Sequence, residues 1–166
     1  ADGYVDLAVG APHERVSSRP EAGAVYVFRG NSGPNLTALR ALYASPATSE
    51  QNDMFFGFAM TASDFNNDGY ADLAVGAPGA TVGGARWAGR VIVFNGTSSG
   101  PDGGAQVLTA GASPVAGAAF GYSLDAGLFT VDGIRDLAVG APGDTPTANV
   151  GSGRVHSFRG STGGLI

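Results

Sequence analysis

Between positions 64 and 72 the chain sets oxygen-bearing groups at alternate places: Asp64, Asn66 and Asp68, then Gly69, with Asp72 closing the series. Tyr70 falls at the alternate position in between, where its backbone carbonyl would face the same point. Calcium takes six to eight hard oxygen ligands, and a glycine in a short loop lets the backbone curl so that alternate residues converge on one ion. Magnesium suits the pattern less, because it demands a compact octahedral shell and gives up its waters reluctantly. Asp64, Asp68 and Asp72 bring three carboxylates close together, and no Lys or Arg occurs between Ser63 and Gly84. Their mutual repulsion asks for a cation. The alternative is an ion-free turn, since Asp, Asn and Gly build turns unaided.

The series overlaps the first half of the helix-flanked loop D-x-[DN]-x-[DN]-G, which needs a bidentate Glu at its twelfth position. Here that position is Val75, inside the apolar run "DLAVG". Such a run reads as a strand, so helical calcium loops are excluded and the elements that hold this loop must be strands.

Those elements repeat. "DLAVGAP" occurs at 6–12, 72–78 and 136–142, at offsets of 66 and 64 residues. "MFFGFAM" at 54–60 returns as "AAFGYSL" at 118–124, and "GRVIVFNG" at 89–96 returns as "GRVHSFRG" at 153–160, with "GAVYVFRG" at 23–30 as the first counterpart. Each unit reads as short strands punctuated by glycine and proline: "FGFAMTA", "DLAVGAP", "GRVIVFNG" and a fourth run, "AQVLTA". The equivalent fourth run of the first unit is 36–43, despite some helical flavour. A four-stranded sheet repeated at this period cannot bury both faces alone, and the arrangement that solves this is the β-propeller, whose blades pack on one another. The fold class is therefore all-β, with blades of four antiparallel strands. The units run over 1–52, lacking a first strand; 53–115, complete; and 116–166, lacking a last strand. Phe56 and Phe120 are expected as wedges between sheets, and the glycine of "GAP" as a local bend before a proline that ends the ladder.

The other two acidic loops keep only part of the ligand set. Asp132 and Asp136 match Asp68 and Asp72, but Leu128 and Thr130 replace Asp64 and Asn66. In the first unit Asp2 and Asp6 match Asp68 and Asp72, and the positions equivalent to Asp64 and Asn66 fall before Ala1.

Composition narrows the function. With 9 basic against 14 acidic residues and no basic run, nucleic acid is excluded as a partner. No apolar stretch reaches the roughly 18 residues of a membrane helix. The chain has no cysteine, so a thiolate nucleophile or a thiolate zinc site is excluded. His156 stands where the other copies carry Tyr26 and Ile92 and reads as a strand residue; His13 follows "GAP" and reads as a solvated loop residue. Neither lies in a hydrolase or metalloprotease frame, so no enzymatic activity is expected of this segment. "NLT" at 35–37 and "NGT" at 95–97 are formal glycosylation sequons, and Arg86 with Trp87 forms an exposed Arg/aromatic pair of the kind enriched at interfaces.

"FG", then D-x-N-x-D-G-x-x-D, then "LAVGAP" resembles the FG-GAP repeat of the integrin alpha-chain head, also found in bacterial integrin-like proteins and in a secreted glycosylphosphatidylinositol-cleaving phospholipase D. The resemblance implies a seven-bladed ring of which this chain would form about three blades. It also implies Ca2+ held by Asp64, Asn66, Asp68, the Tyr70 carbonyl and Asp72. It further implies a secreted or cell-surface location and a binding or adhesion role toward a protein or glycan. The remaining partners would be further blades of the parent chain or other copies of this one. The alternative is an accessory propeller of a secreted hydrolase whose active site lies elsewhere.

Overall fold

The computed structural model describes residues 3–44, 52–101, 105–145 and 152–166. Among them ten strands form three antiparallel sheets. The first is ordered β1-β2-β3, from β1 (Leu7–Ala11), β2 (Ala24–Arg29) and β3 (Thr37–Leu42). The second is β4-β5-β6-β7, from β4 (Met60–Ser63), β5 (Asp72–Ala77), β6 (Arg90–Phe94) and β7 (Ala105–Leu108). The third is β10-β9-β8, from β8 (Ser123–Gly127), β9 (Asp136–Ala141) and β10 (Arg154–Phe158). Each is a meander in which sequence neighbours pair, as in a propeller blade.

The repeated heptapeptide keeps one register throughout. Leu7 faces Phe28, Leu73 faces Phe94 and Leu137 faces Phe158 across the central pair of each sheet. The apolar runs are continuous because the middle sheet is covered on both sides, and all residues of β5 and β6 are buried. Side chains alternate across a strand. Leu73, Val75, Ile92 and Phe94 accordingly join one core with Val25, Val27 and Phe56 of the first joint. Ala74, Val91 and Val93 join a second core with Phe120, Leu137 and Val139. Phe56 and Phe120 are fully buried, so the expected wedges are wedges.

The "FG" residues differ from the expected strand. β4 starts only at Met60, and Phe56 and Gly57 form a turn whose backbone bonds to the neighbouring sheet: the Phe56 N–H donates to Ala22 O at 3.1 Å. At the next joint the Phe120 N–H donates to Ala88 O at 3.0 Å. The glycine of "GAP" likewise serves the joint. A Cβ on Gly10 would lie 2.1 Å from Gly57 O, and one on Gly76 would lie 2.1 Å from Gly121 O. The "FG" of one blade thus seats on the "GAP" of the blade before it.

A polar latch closes each joint at the outer strand. Arg40 on β3 and Gln106 on β7 hold equivalent positions, paired with Val27 and Val93. Arg40 donates to the carbonyls of Pro101 and Ser99 in the second sheet's turn, each at 3.4 Å. Gln106 donates through Nε2 to Leu165 O and accepts from the Leu165 N–H at 3.0 Å, which holds Leu165 in the second core.

Candidate functional site

The loop between β4 and β5 carries the predicted ligands. Asp64 accepts the N–H groups of Asp68 and Gly69 at 3.1 and 2.9 Å. Asn66 Oδ1 accepts the Asp68 N–H at 3.0 Å, and its Nδ2 donates to Asp68 Oδ2 at 2.9 Å. Asp68 Oδ1 accepts the Tyr70 N–H at 2.9 Å. Asp64, Asn66 and Asp68 are thereby gathered in one curl, with Asn67 and Gly69 in the left-handed region at φ 58° and 89°. Asn and Gly are the residues that tolerate that conformation.

Asp72 lies beneath the curl, only 1 % exposed. Its Oδ2 accepts the Phe65 N–H at 2.9 Å and its Oδ1 the Gly96 N–H at 2.8 Å, so it clamps the acidic loop to the turn after β6. The clamp recurs. Asp136 accepts the N–H groups of Phe129, Thr130 and Gly160, and Asp6 accepts that of Gly30 at 2.9 Å. In each copy the aspartate and the glycine are 24 residues apart. Sequence reasoning read Asp72 as a ligand and Asp6 and Asp136 as members of incomplete ligand sets, and missed the clamp, although the constant spacing from "D" of "DLAVGAP" to the last glycine of "FxG" was visible in all three copies.

The Asp72 and Asp136 carboxyls are displaced in opposite directions from their ordinary value. Burial pushes the Asp72 carboxyl up, against the N–H groups of Gly96 and Phe65, and the negative charges of Asp68 and Asp64 push it further. For Asp136 burial also pushes upward, but the N–H groups of Gly160, Thr130 and Phe129 outweigh it, and the carboxyl is held below its ordinary value. The third loop has also acquired its own cation, with Arg159 Nε 3.9 Å from Asp132, whose Oδ1 accepts from Thr130 Oγ1 and the Ile134 N–H. Among the described residues no such cation stands beside Asp64 or Asp68.

The donors of the second loop, two carboxylates, an amide oxygen and a main-chain carbonyl above a third carboxylate, are the chemistry a hard cation takes. As the loop stands, backbone N–H groups occupy the carboxylates, and among the described residues no three acidic or histidine side chains are gathered to hold a metal ion. Asp2 lies outside the described residues.

The two histidines sit apart from this loop. His13 is exposed, 3.5 Å from Glu21, with its ring edge-on to Phe55, which in turn meets the half-exposed Trp87. His156 Nε2 lies 2.7 Å from Oδ2 of buried Asp144, with its ring edge-on to Phe120. Tyr26, at the same register position, donates to Glu14 at 2.6 Å, and the middle copy has Ile92 and Ala80 there.

Comparison with known proteins decides the family. The FG-GAP repeat model matches residues 1–28 and 56–94. Integrin alpha-7 of Rattus norvegicus is 38% identical over 155 residues, covering 87% of this chain. The chain belongs to the FG-GAP repeat family. This FG-GAP chain spans about 12% of the length of that relative. It is also 32% identical to integrin alpha-6 of Homo sapiens over 151 residues, 88% of this chain and 12% of the relative. Phosphatidylinositol-glycan-specific phospholipase D of Bos taurus is 38% identical over 117 residues, 66% of this chain and 14% of the relative. The FG-GAP family and the three meander sheets together make the fold an integrin-like arrangement of propeller blades.

Proposed function

We propose that this FG-GAP segment is part of an extracellular, seven-bladed propeller that binds a protein ligand and is stabilised by calcium in the 64–72 loop. The observation that carries calcium is the uncompensated acidity of that loop. Burial raises the Asp72 carboxyl and the charges of Asp68 and Asp64 add to it, with no cation beside them among the described residues, whereas in the third copy two ligands are lost and Arg159 stands beside Asp132. Asp64, Asn66, Asp68 and the Tyr70 carbonyl would hold the ion, with Asp72 reaching up from its clamp. The integrin relatives support the binding role and the extracellular setting.

An ion bound only by the folded state stabilises it by mass action, by about 2.7 kcal/mol at a hundredfold excess over Kd. With affinity on the order of 10⁻⁴ to 10⁻³ M, as in extracellular modules, millimolar calcium raises Tm and a chelator lowers it. Asp64→Asn and Asp68→Asn abolish the shift, and Asp132→Asn leaves it intact. A Tm indifferent to calcium in the unmutated chain would sink the site.

The phospholipase D relatives favour a second reading, an accessory propeller beside a hydrolase domain. The parent polypeptide separates the two: a nucleophile- or metal-bearing catalytic domain in it supports the second, and adhesion repeats or an anchor support the first.

A further inference from the structure

The glycine that closes each aspartate clamp is one the fold demands in every blade. A Cβ on Gly30 would lie 2.3 Å from Val5 O, one on Gly96 2.3 Å from Ala71 O, and one on Gly160 2.1 Å from Arg135 O. The residue before it varies: it is Arg29 in the first blade and Arg159 in the third, but Asn95 in the second. Asn95-Gly96 is thereby the only Asn-Gly dipeptide in the chain.

Asn-Gly is the pair whose main chain most readily attacks its own side chain, because glycine has no Cβ to block the nitrogen or to restrict the turn that the attack requires. The Gly96 nitrogen would give its proton to solvent base and bond to Asn95 Cγ. Nδ2 would then leave as ammonia, and water would open the cyclic succinimide to an aspartyl or isoaspartyl residue. In this fold the attacking nitrogen is occupied. Its N–H donates to Asp72 Oδ1 at 2.8 Å, Gly96 is buried, and Asp72 is 1 % exposed, whereas Asn95 itself is only half-buried. Taking the proton from an amide held by a buried carboxylate sets two negative charges side by side away from water, so the clamp opposes the step that makes the nitrogen a nucleophile.

We propose that Asn95 is a latent modification site, an asparagine set for succinimide formation that Asp72 holds unreactive through the Gly96 amide, and that reaction there unlatches the acidic loop. The isoaspartyl product adds a methylene to the main chain between β6 and the clamped nitrogen, which draws Gly96 off Asp72 and frees the 64–72 loop from the turn after β6. The change is one-way and accumulates with the time the clamp spends open. It rests on the clamp alone, neither on the seven-bladed ring nor on calcium.

The test incubates the chain and its variants at mildly alkaline pH with a chelator present, so that calcium plays no part, and measures aspartate and isoaspartate at position 95 by peptide mapping. Asn95 is expected to react at least about tenfold more slowly in the folded chain than in urea, because local opening of the clamp gates the reaction. Asp72→Ala, folded by circular dichroism, is expected to lose most of that protection, whereas His156→Ile, which weakens a different blade, keeps it. Arg29→Asn places the same dipeptide before buried Gly30, where the clamping Asp6 is exposed and its truncation leaves no buried gap. That pair is expected to react severalfold faster once Asp6→Ala is added, which decides the matter where Asp72→Ala fails to fold. Equal rates in the folded and the urea-unfolded chain overturn the proposal. So does a folded Asp72→Ala or Asp6→Ala variant that reacts no faster than its parent, or equal acceleration by Asp72→Ala and His156→Ile.

Discussion

Gly76 and Gly121, 45 residues apart in the chain, approach so closely that the Cα of Gly76 would lie 3.3 Å from a Cβ built on Gly121. One belongs to "GAP" and the other to the following "FG", so the two halves of the repeat meet across a joint between blades. Neither side can yield, because the atoms in the way are main chain. Gly76→Ala is therefore expected to cost about 3 kcal/mol, at the upper end of overpacking penalties. Gly69 offers the contrast: its φ is +89°, but a Cβ there meets nothing within 4 Å. Gly69→Ala should cost only the left-handed penalty of about 1 to 2 kcal/mol. Urea unfolding of the two variants checks the order, and equal losses would mean that the contact across the joint is relieved by movement of the blades.

The strands were legible because two or three copies of each run appear in one sequence, and repetition substitutes for comparison between proteins. β3 could be placed from its counterpart β7, although residues 35–46 have some helical flavour. The joints were not legible, since nothing in the spacing of "FG" says that the phenylalanine N–H serves the preceding blade while the glycine N–H serves its own. The acidic loop was legible as a curl of Asp64, Asn66 and Asp68. The clamp was not, because alternation places Asp72 among ligands while the strand register turns its carboxylate beneath Gly96. Arg159 beside Asp132 was also out of reach, since 27 residues of chain separate them and only the pairing of β9 with β10 brings them together.

His156 and Asp144 form a pair that the middle blade replaces with Ile92 and Ala80. Asp144 is 3 % exposed, and the guanidinium of half-exposed Arg154 is 3.9 Å away. Removing the hydrogen-bond partner of a buried carboxylate costs about 1 to 3 kcal/mol or more, because the carboxylate is left unsatisfied, whereas replacing both partners with apolar groups is often nearly neutral. His156→Ile alone should thus destabilise by about 3 kcal/mol, the upper end of the cost of leaving a buried acceptor unsatisfied. Adding Asp144→Ala should restore most of that loss, a coupling near the top of the 0.5–3 kcal/mol range for residues in contact. Additive losses in the double-mutant cycle would show that the pair is not coupled.

The first blade carries a different pair at that register, and it makes stability depend on alkaline pH. The hydrogen bond from Tyr26 to Glu14, with burial and the Glu14 charge adding to it, pushes the Tyr26 phenol up to about 12 from 10.0. A folded-state pKa above the unfolded one means that the folded protein holds a proton the unfolded chain has lost, so stability falls as pH rises. Tyr26 therefore contributes its full share below pH 10 and loses it between pH 10 and about 12. Tyr26→Phe removes the hydrogen bond to Glu14 and with it this part of the slope. The comparison is the midpoint of urea unfolding at pH 9 and at pH 11 for both proteins, where the decline in the unmutated chain should exceed that in Tyr26→Phe. Equal declines would mean that Glu14 does not hold the phenol proton in solution.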